Sequence, residues 1–157
     1  MKNIFYISLF LLISFVGTPV SAGSLESALD TSASGMRSQS ERMKIVTENI
    51  ANADTIGINP NDDPYRRKTI YFQEVKDPYS QTKLVTVRKV ARDNSDFKLA
   101  YQPNHPAANA DGYIKTPNVD KNLEAMDLKE SQRSYEANVS AIENTKQIME
   151  RTLDLMR

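Results

Sequence analysis

The chain contains no cysteine and no tryptophan, a single histidine, and only five glycines in 157 residues. Without cysteine there is no disulfide framework, thiolate zinc site, iron–sulfur cluster or cysteine nucleophile. One histidine rules out a two-histidine metal site and confines any hydrolytic triad to His105. The five glycines form no phosphate-cradling loop. An excess of one charge is missing too: 20 basic side chains meet 20 acidic ones, so nothing draws the whole chain to nucleic acid or to an anionic membrane. The length suits one domain, and 39% apolar with 25% charged residues is ordinary for a folded soluble protein.

The first 22 residues stand apart. Lys2 and the amino terminus make a minimal positive region, and Ile4 to Val16 carries no charge. Gly17 and Pro19 then break the run, and Val20-Ser21-Ala22 is a small-residue cleavage site before Gly23. This is the build of a secretory signal peptide over residues 1–22, cut between Ala22 and Gly23. A membrane-spanning helix needs about 20 apolar residues, and the Gly-Thr-Pro interruption comes too early.

Two segments carry helical periodicity. In residues 23–54, Leu29, Met36, Met43 and Ile50 recur every seven positions, with Leu25, Ala33, Val46 and Ala53 beside them. Ser24 is the expected N-cap, and Asn52, Ala53, Asp54 and Gly57 mark the exit. Gly35 lies inside this helix at a cost of about 1 kcal/mol against Ala, either a tolerated weak spot or a place of close approach by another helix. In residues 119–157, Leu128, Tyr135, Ile142, Met149 and Met156 repeat the spacing, joined by Leu153, after an opening at Pro117 and Asn118 or Asp120. The expected fold class is mainly α: long N- and C-terminal helices paired as a coiled coil around a small β-containing segment, residues 55–118.

That middle segment has a different texture. Thr55 to Pro64 is a polar, turn-rich loop. Tyr65 to Val75 and Leu84 to Val90 read as strands, with Phe97 to Tyr101 as a third. Gln102 to Asn118, with three prolines, reads as loop. So small a β unit cannot cover two helical seams of this length. The surplus apolar surface predicts burial against other subunits.

Catalytic candidates are thin. His105 sits between Asn104 and Pro106 in a loop with no serine elbow and no apolar pocket. Asn59-Pro60-Asn61-Asp62-Asp63 lacks the glycine and closing glutamate of a calcium loop. Arg66-Arg67-Lys68 alternates across a strand as a solvated edge does. The methionines of the seams fit core filler rather than a cofactor box. No cofactor, metal, nucleic acid or small-molecule substrate is expected, and no enzymatic activity.

Certain phrases in the sequence point to a family. Ser32-Ala33-Ser34-Gly35-Met36, followed by Asn49-Ile50-Ala51-Asn52-Ala53-Asp54-Thr55, resembles the N-terminal signature of bacterial flagellar rod and hook proteins. Pro64-Tyr65-Arg66-Arg67-Lys68, Pro117-Asn118-Val119-Asp120 and Ser134-Tyr135-Glu136-Ala137-Asn138-Val139 narrow the likeness to the proximal rod members. The resemblance runs from about Leu25 to Leu155. It implies N- and C-terminal helices paired as an axial coiled coil, and a helical rod around a central export channel. It also implies a site in the basal body, in the periplasmic space, where a rod transmits torque. The implied partners are copies of the chain, other rod subunits and the basal-body membrane ring. One feature departs from the family, whose members leave the cytoplasm by the flagellar type III route with no cleavable signal. The competing reading is a secreted periplasmic coiled-coil adaptor derived from a rod protein; a hydrolase built on His105 lacks both pocket and partners.

Overall fold

The computed structural model describes residues 22–157. The signal-like reading of the N-terminal segment therefore falls, except for Ala22, outside the described residues. Helix α1 spans Ala22–Ala51, strand β1 Lys68–Lys76, β2 Lys83–Arg92, β3 Lys98–Tyr101, β4 Tyr113–Thr116, and helix α2 Lys121–Leu155. At 1.5 Å per residue the helices are about 45 and 52 Å long. They pack side by side and antiparallel: Asn49 meets Glu124, Arg42 meets Asp127, and Gly35 meets Asn138.

The mainly α coiled-coil class expected from the heptads is corrected by this architecture. The molecule has two helices plus two separate two-stranded antiparallel sheets, β1–β2 and β3–β4. The reason lies in what the helices bury. The most deeply buried side chains include Asn49, Glu124 and Ser131, and the buried set adds Ser34, Ser38 and Thr145. Small and polar groups occupy the deepest helix positions, where a coiled coil places apolar knobs.

The start of α2 follows capping chemistry. The Asp120 backbone is extended, and its Oδ1 accepts the N–H groups of Asn122 at 2.9 Å and Leu123 at 3.3 Å. Such a cap contributes about 1 kcal/mol. Of the two expected openers, Asp120 takes that role, whereas Asn118 is spent elsewhere. Ser24 lies within α1 rather than capping it.

The β1–β2 hairpin runs in register from Lys68 opposite Arg92 to Lys76 opposite Lys83, with one irregularity. Tyr71 faces Lys89 but Phe72 faces Val87, leaving Arg88 as an extra residue. That bulge switches the parity of β2. Val85 and Val87 then share a face with Val90, and Lys89 joins the opposite face beside Tyr71, where its ammonium lies 5.1 Å from the ring centre.

Helix α1 crosses this hairpin diagonally. Near the hairpin tip it reaches the outer edge of β2: Thr31 Oγ1 donates to Lys83 O, Ser34 Oγ accepts Val85 N–H, and Ser38 Oγ donates to Val85 O, at 3.0–3.2 Å. Near the base it reaches the outer edge of β1 through Asn49. Hydroxyls at helical spacing thus occupy main-chain groups that an edge strand otherwise exposes.

The second sheet corrects the expectation of a loop over Gln102–Asn118, since β4 lies within it. Ile114 buries its side chain almost completely, while Leu99, Tyr101 and Tyr113 stay exposed. The turn feeding β4 requires glycine at 112. Its φ is +80°, and a Cβ there would lie 2.9 Å from the Tyr101 ring.

Candidate functional site

The most densely bonded part of the molecule is the joint where α1 ends, β1 begins and α2 begins. Asn49, in the last turn of α1, is its centre. Its carboxamide makes four hydrogen bonds at 2.8–2.9 Å. Nδ2 donates to Lys68 O and Glu124 Oε2, and Oδ1 accepts from Lys68 N–H and the Tyr65 hydroxyl. Asn49 is 1% exposed, so an unpaired group there would cost the full desolvation penalty.

Glu124, in the first turn of α2, is fully buried. Its second oxygen accepts Arg67 Nε at 2.6 Å, and Arg67 reaches Asp93 at 3.7 Å. Burial works against the Arg67 charge, but the hydrogen bond and charge of Glu124, helped by Asp93 and Asp127, push its pKa up overall. Tyr65 is pushed up to about 12, first by burial and then by the nearby carboxylates of Glu48 and Glu124. Its hydroxyl therefore stays a donor to Asn49 across the neutral range.

A second side chain completes the joint. Asn118 Oδ1 accepts Arg67 N–H at 2.8 Å, and its Nδ2 donates to Asp93 O, Ser95 O and Ser95 Oγ. The strand leading into α2 is thereby tied to both ends of the hairpin. Arg66 donates to Asp93 O and Ser95 O, with its guanidinium 4.1 Å from the Phe97 ring centre. Outer ion pairs join Lys68 to Glu48, Arg42 to Asp127 and Lys121 to Asp54.

The joint's donors and acceptors are spent on one another. What the arrangement does is fix three chain segments in one geometry. Among the described residues no group of three His, Asp or Glu side chains is placed to hold a metal ion. His105 accepts Ala107 N–H on Nδ1 at 3.0 Å, a local loop contact.

The motif Asn49–Thr55 divides by role. Asn49 belongs to the joint, and Ile50 is half-buried. Asn52 closes the helix end, with Nδ2 donating to Glu48 O and Oδ1 accepting Thr55 Oγ1–H. Asp54 pairs with Lys121, and Ala51, Ala53 and Thr55 line the exit. Of the heptad residues, Leu29, Met36, Met43, Ile50, Leu128, Tyr135 and Ile142 are half-buried, while Met149, Leu153 and Met156 are exposed. Met36, Tyr135 and Ile142 line one shallow groove between the helices. Gly35 is a point of close approach: a Cβ there would lie 2.8 Å from Asn138 Oδ1. Sequence reading missed Glu124. Its signal was a polar heptad, Glu124, Ser131, Asn138 and Thr145, four positions ahead of each apolar residue from Leu128 to Met149.

Known proteins are similar to this chain in sequence. The family described as "Flagella basal body rod protein" matches residues 29–57, and "Flagellar basal body rod FlgEFG protein C-terminal" matches residues 110–155. The flagellar basal-body rod protein FlgC of Agrobacterium fabrum is 42% identical over 133 residues, covering 85% of this chain and 96% of its own length.

The chain belongs to the FlgC family of flagellar basal-body rod proteins.

FlgC of Bacillus subtilis is 39% identical, covering 82% of this chain and 95% of its own, and FlgC of Salmonella typhimurium is 37% identical, covering 80% and 93%. As a FlgC-family member the chain is a structural rod subunit of the flagellar basal body. Both family matches take in part of the joint: residues 29–57 include Asn49, and residues 110–155 include Asn118 and Glu124.

Proposed function

We propose that the chain is a proximal rod subunit whose helix pair buries its apolar seam against copies of itself and other rod subunits. The product is a helical tube that transmits torque beside the basal-body membrane ring. The observation that carries this reading is the open apolar surface toward the end of α2, where Leu153 is 61% and Met156 72% exposed with Met149 beside them. Farther along the helix pair the half-buried Met36, Tyr135 and Ile142 line a shallow groove. The hairpin lies against α1 through Ser34 and Ser38 and does not cover the exposed Met149, Leu153 and Met156. Exposed apolar stripes of this kind mark protein contact surfaces. The role is structural rather than catalytic.

Two substitutions test the seam. Ile142→Asp and Met43→Asp each place a carboxylate on it, at a cost of several kcal/mol once buried. The expected result is a folded subunit that is absent from purified basal bodies. Normal incorporation of both variants would overturn the reading. The same preparation tests location. Residues 1–22 are read as a secretory signal removed between Ala22 and Gly23, with subunits meeting in the periplasm. Intact-mass analysis of the incorporated subunit is expected to show Gly23 at its start. A mass that includes residues 1–22 would favour type III export.

A further inference from the structure

The zero net charge of the chain conceals a strongly basic hairpin. Residues 65–92 hold eight Lys and Arg against two acidic residues, Glu74 and Asp77. Part of that charge is neutralised, since Arg67 pairs with Glu124, Lys68 with Glu48 and Lys83 with Glu74. Lys76, Arg88, Lys89 and Arg92 are exposed and make no ion pair among the described residues. Beside them Tyr71 and Val75 are also exposed.

The same hairpin has one open edge. Asp93 N–H bonds Arg67 O, and Asp77 N–H bonds Thr82 O. This alternation turns the odd-numbered residues of β1 toward β2 and the main-chain groups of Lys68, Ile70, Phe72, Glu74 and Lys76 away from it. Asn49 takes both groups of Lys68, and α1 hydroxyls cover β2 at Lys83 and Val85. From Ile70 to Lys76 no such cover exists among the described residues. Alongside Ile70 and Phe72 runs a cleft of about 360 Å³, lined in part by Ile45, Val46 and Arg42.

We propose that the edge of β1 from Ile70 to Lys76 is a strand-addition site for an extended acidic segment of a partner polypeptide. Three observations converge on that chemistry. Outward N–H and C=O groups at alternate residues suit an added strand. The cleft beside Ile70 and Phe72 offers room for its alternate side chains. Lys76 on β1 itself, with the positive field of Arg88, Lys89 and Arg92 on the neighbouring strand, selects carboxylates. A lipid surface would satisfy the charge but has no use for the main-chain edge. This assignment does not depend on the helix seam.

The test uses the intact chain and a nine-residue peptide alternating Val and Glu, with its Val/Lys counterpart as control. Amide hydrogen exchange is followed residue by residue, and affinity by calorimetry. The Val/Glu peptide is expected to bind and to slow exchange at Ile70, Phe72 and Glu74, while the Val/Lys peptide does not bind. Arg88, Lys89 and Arg92 lie on β2, one strand in from the open edge, and act on the added strand as a screened field rather than as contact pairs, so the triple variant Arg88→Gln/Lys89→Gln/Arg92→Gln should lose about threefold in affinity at low salt. These three side chains are exposed, and an unchanged circular dichroism spectrum confirms that the variant folds. Binding without protection of the three amides, equal binding of the two peptides, or no binding at millimolar peptide would each overturn the proposal. So would slow exchange at those amides in the free chain together with sedimentation as a dimer, or binding to phosphatidylglycerol vesicles in place of the peptide.

Discussion

Replacing Asn49 tests whether the joint holds the fold together. Asn49→Ala removes four hydrogen bonds at once and strands the partners left behind. The main-chain N–H and C=O of Lys68 both lose their side-chain partner, and Glu124 Oε2 loses its only side-chain donor among the described residues. A net hydrogen bond is worth about 0.5–1.5 kcal/mol, and a buried group left unmade costs about 1–3. Water entering from the adjoining cleft relieves part of this, so the expected loss is about 3–4 kcal/mol. Against a total stability of about 5–15 kcal/mol, that is a large share. The sharper variant is Asn49→Asp, which conserves shape. One oxygen still accepts from Lys68 N–H and Tyr65, but the other now faces Lys68 O and the Glu124 carboxylate. Urea unfolding followed by circular dichroism should rank wild type above both variants, with Asp no better than Ala despite its nearly identical volume. If Asn49→Asp unfolded at the wild-type midpoint, the joint would not depend on its donor pattern, and the argument would fail.

Other outcomes follow from neighbouring features. Gly35→Ala should gain little of the roughly 1 kcal/mol that helix propensity offers, because its methyl displaces the Asn138 carboxamide; adding Asn138→Ala should recover the gain, as a double-mutant cycle on thermal midpoints will show. Asp93 is held below the usual carboxylate range, first by the Ser95 N–H and also by Arg67. Its contribution is full above the unfolded value near 3.9 and is lost as pH falls through the lower folded value, so Asp93→Asn should flatten the acid limb of a stability–pH curve. Tyr65, raised to about 12, behaves in the opposite sense. Its contribution is full below about 10 and lost as pH climbs toward 12, and Tyr65→Phe should remove that alkaline slope in urea titrations at stepped pH. His105→Ala should leave incorporation into basal bodies unchanged, and loss of incorporation at normal folding would revive a functional role for the loop.

Periodicity made the two helices and three of the four strands legible. It misled about what the helices bury, because an apolar heptad and a polar one run four positions apart on α2. A reading that follows apolar residues sees Leu128 and Tyr135 and passes over Glu124 and Ser131. Strand β4 was hidden by its four-residue length and by the prolines around it. The irregular alternation of Leu84 to Val90 breaks at Arg88 and Lys89, a break that only the bulge resolves. Asn49 was visible only as part of a phrase, and the helix-exit role that the phrase offers is performed by Asn52. The partners of Asn49 lie 16 to 75 residues away, a distance that no local pattern encodes.

The diagonal crossing of α1 has a mechanical consequence. Apolar contacts are nearly indifferent to sliding, whereas hydrogen bonds are directional and weaken steeply when their geometry is turned. Helix α1 grips the hairpin by such bonds at both ends, through Thr31, Ser34 and Ser38 near the tip and through Asn49 at the base. Two attachment points on opposite edges remove the freedom to pivot that a single one would leave. A twisting load on the helices therefore reaches the hairpin as shear across both anchors at once. Helix and hairpin turn as one stiff body, and compliance is left to whatever joins one subunit to the next.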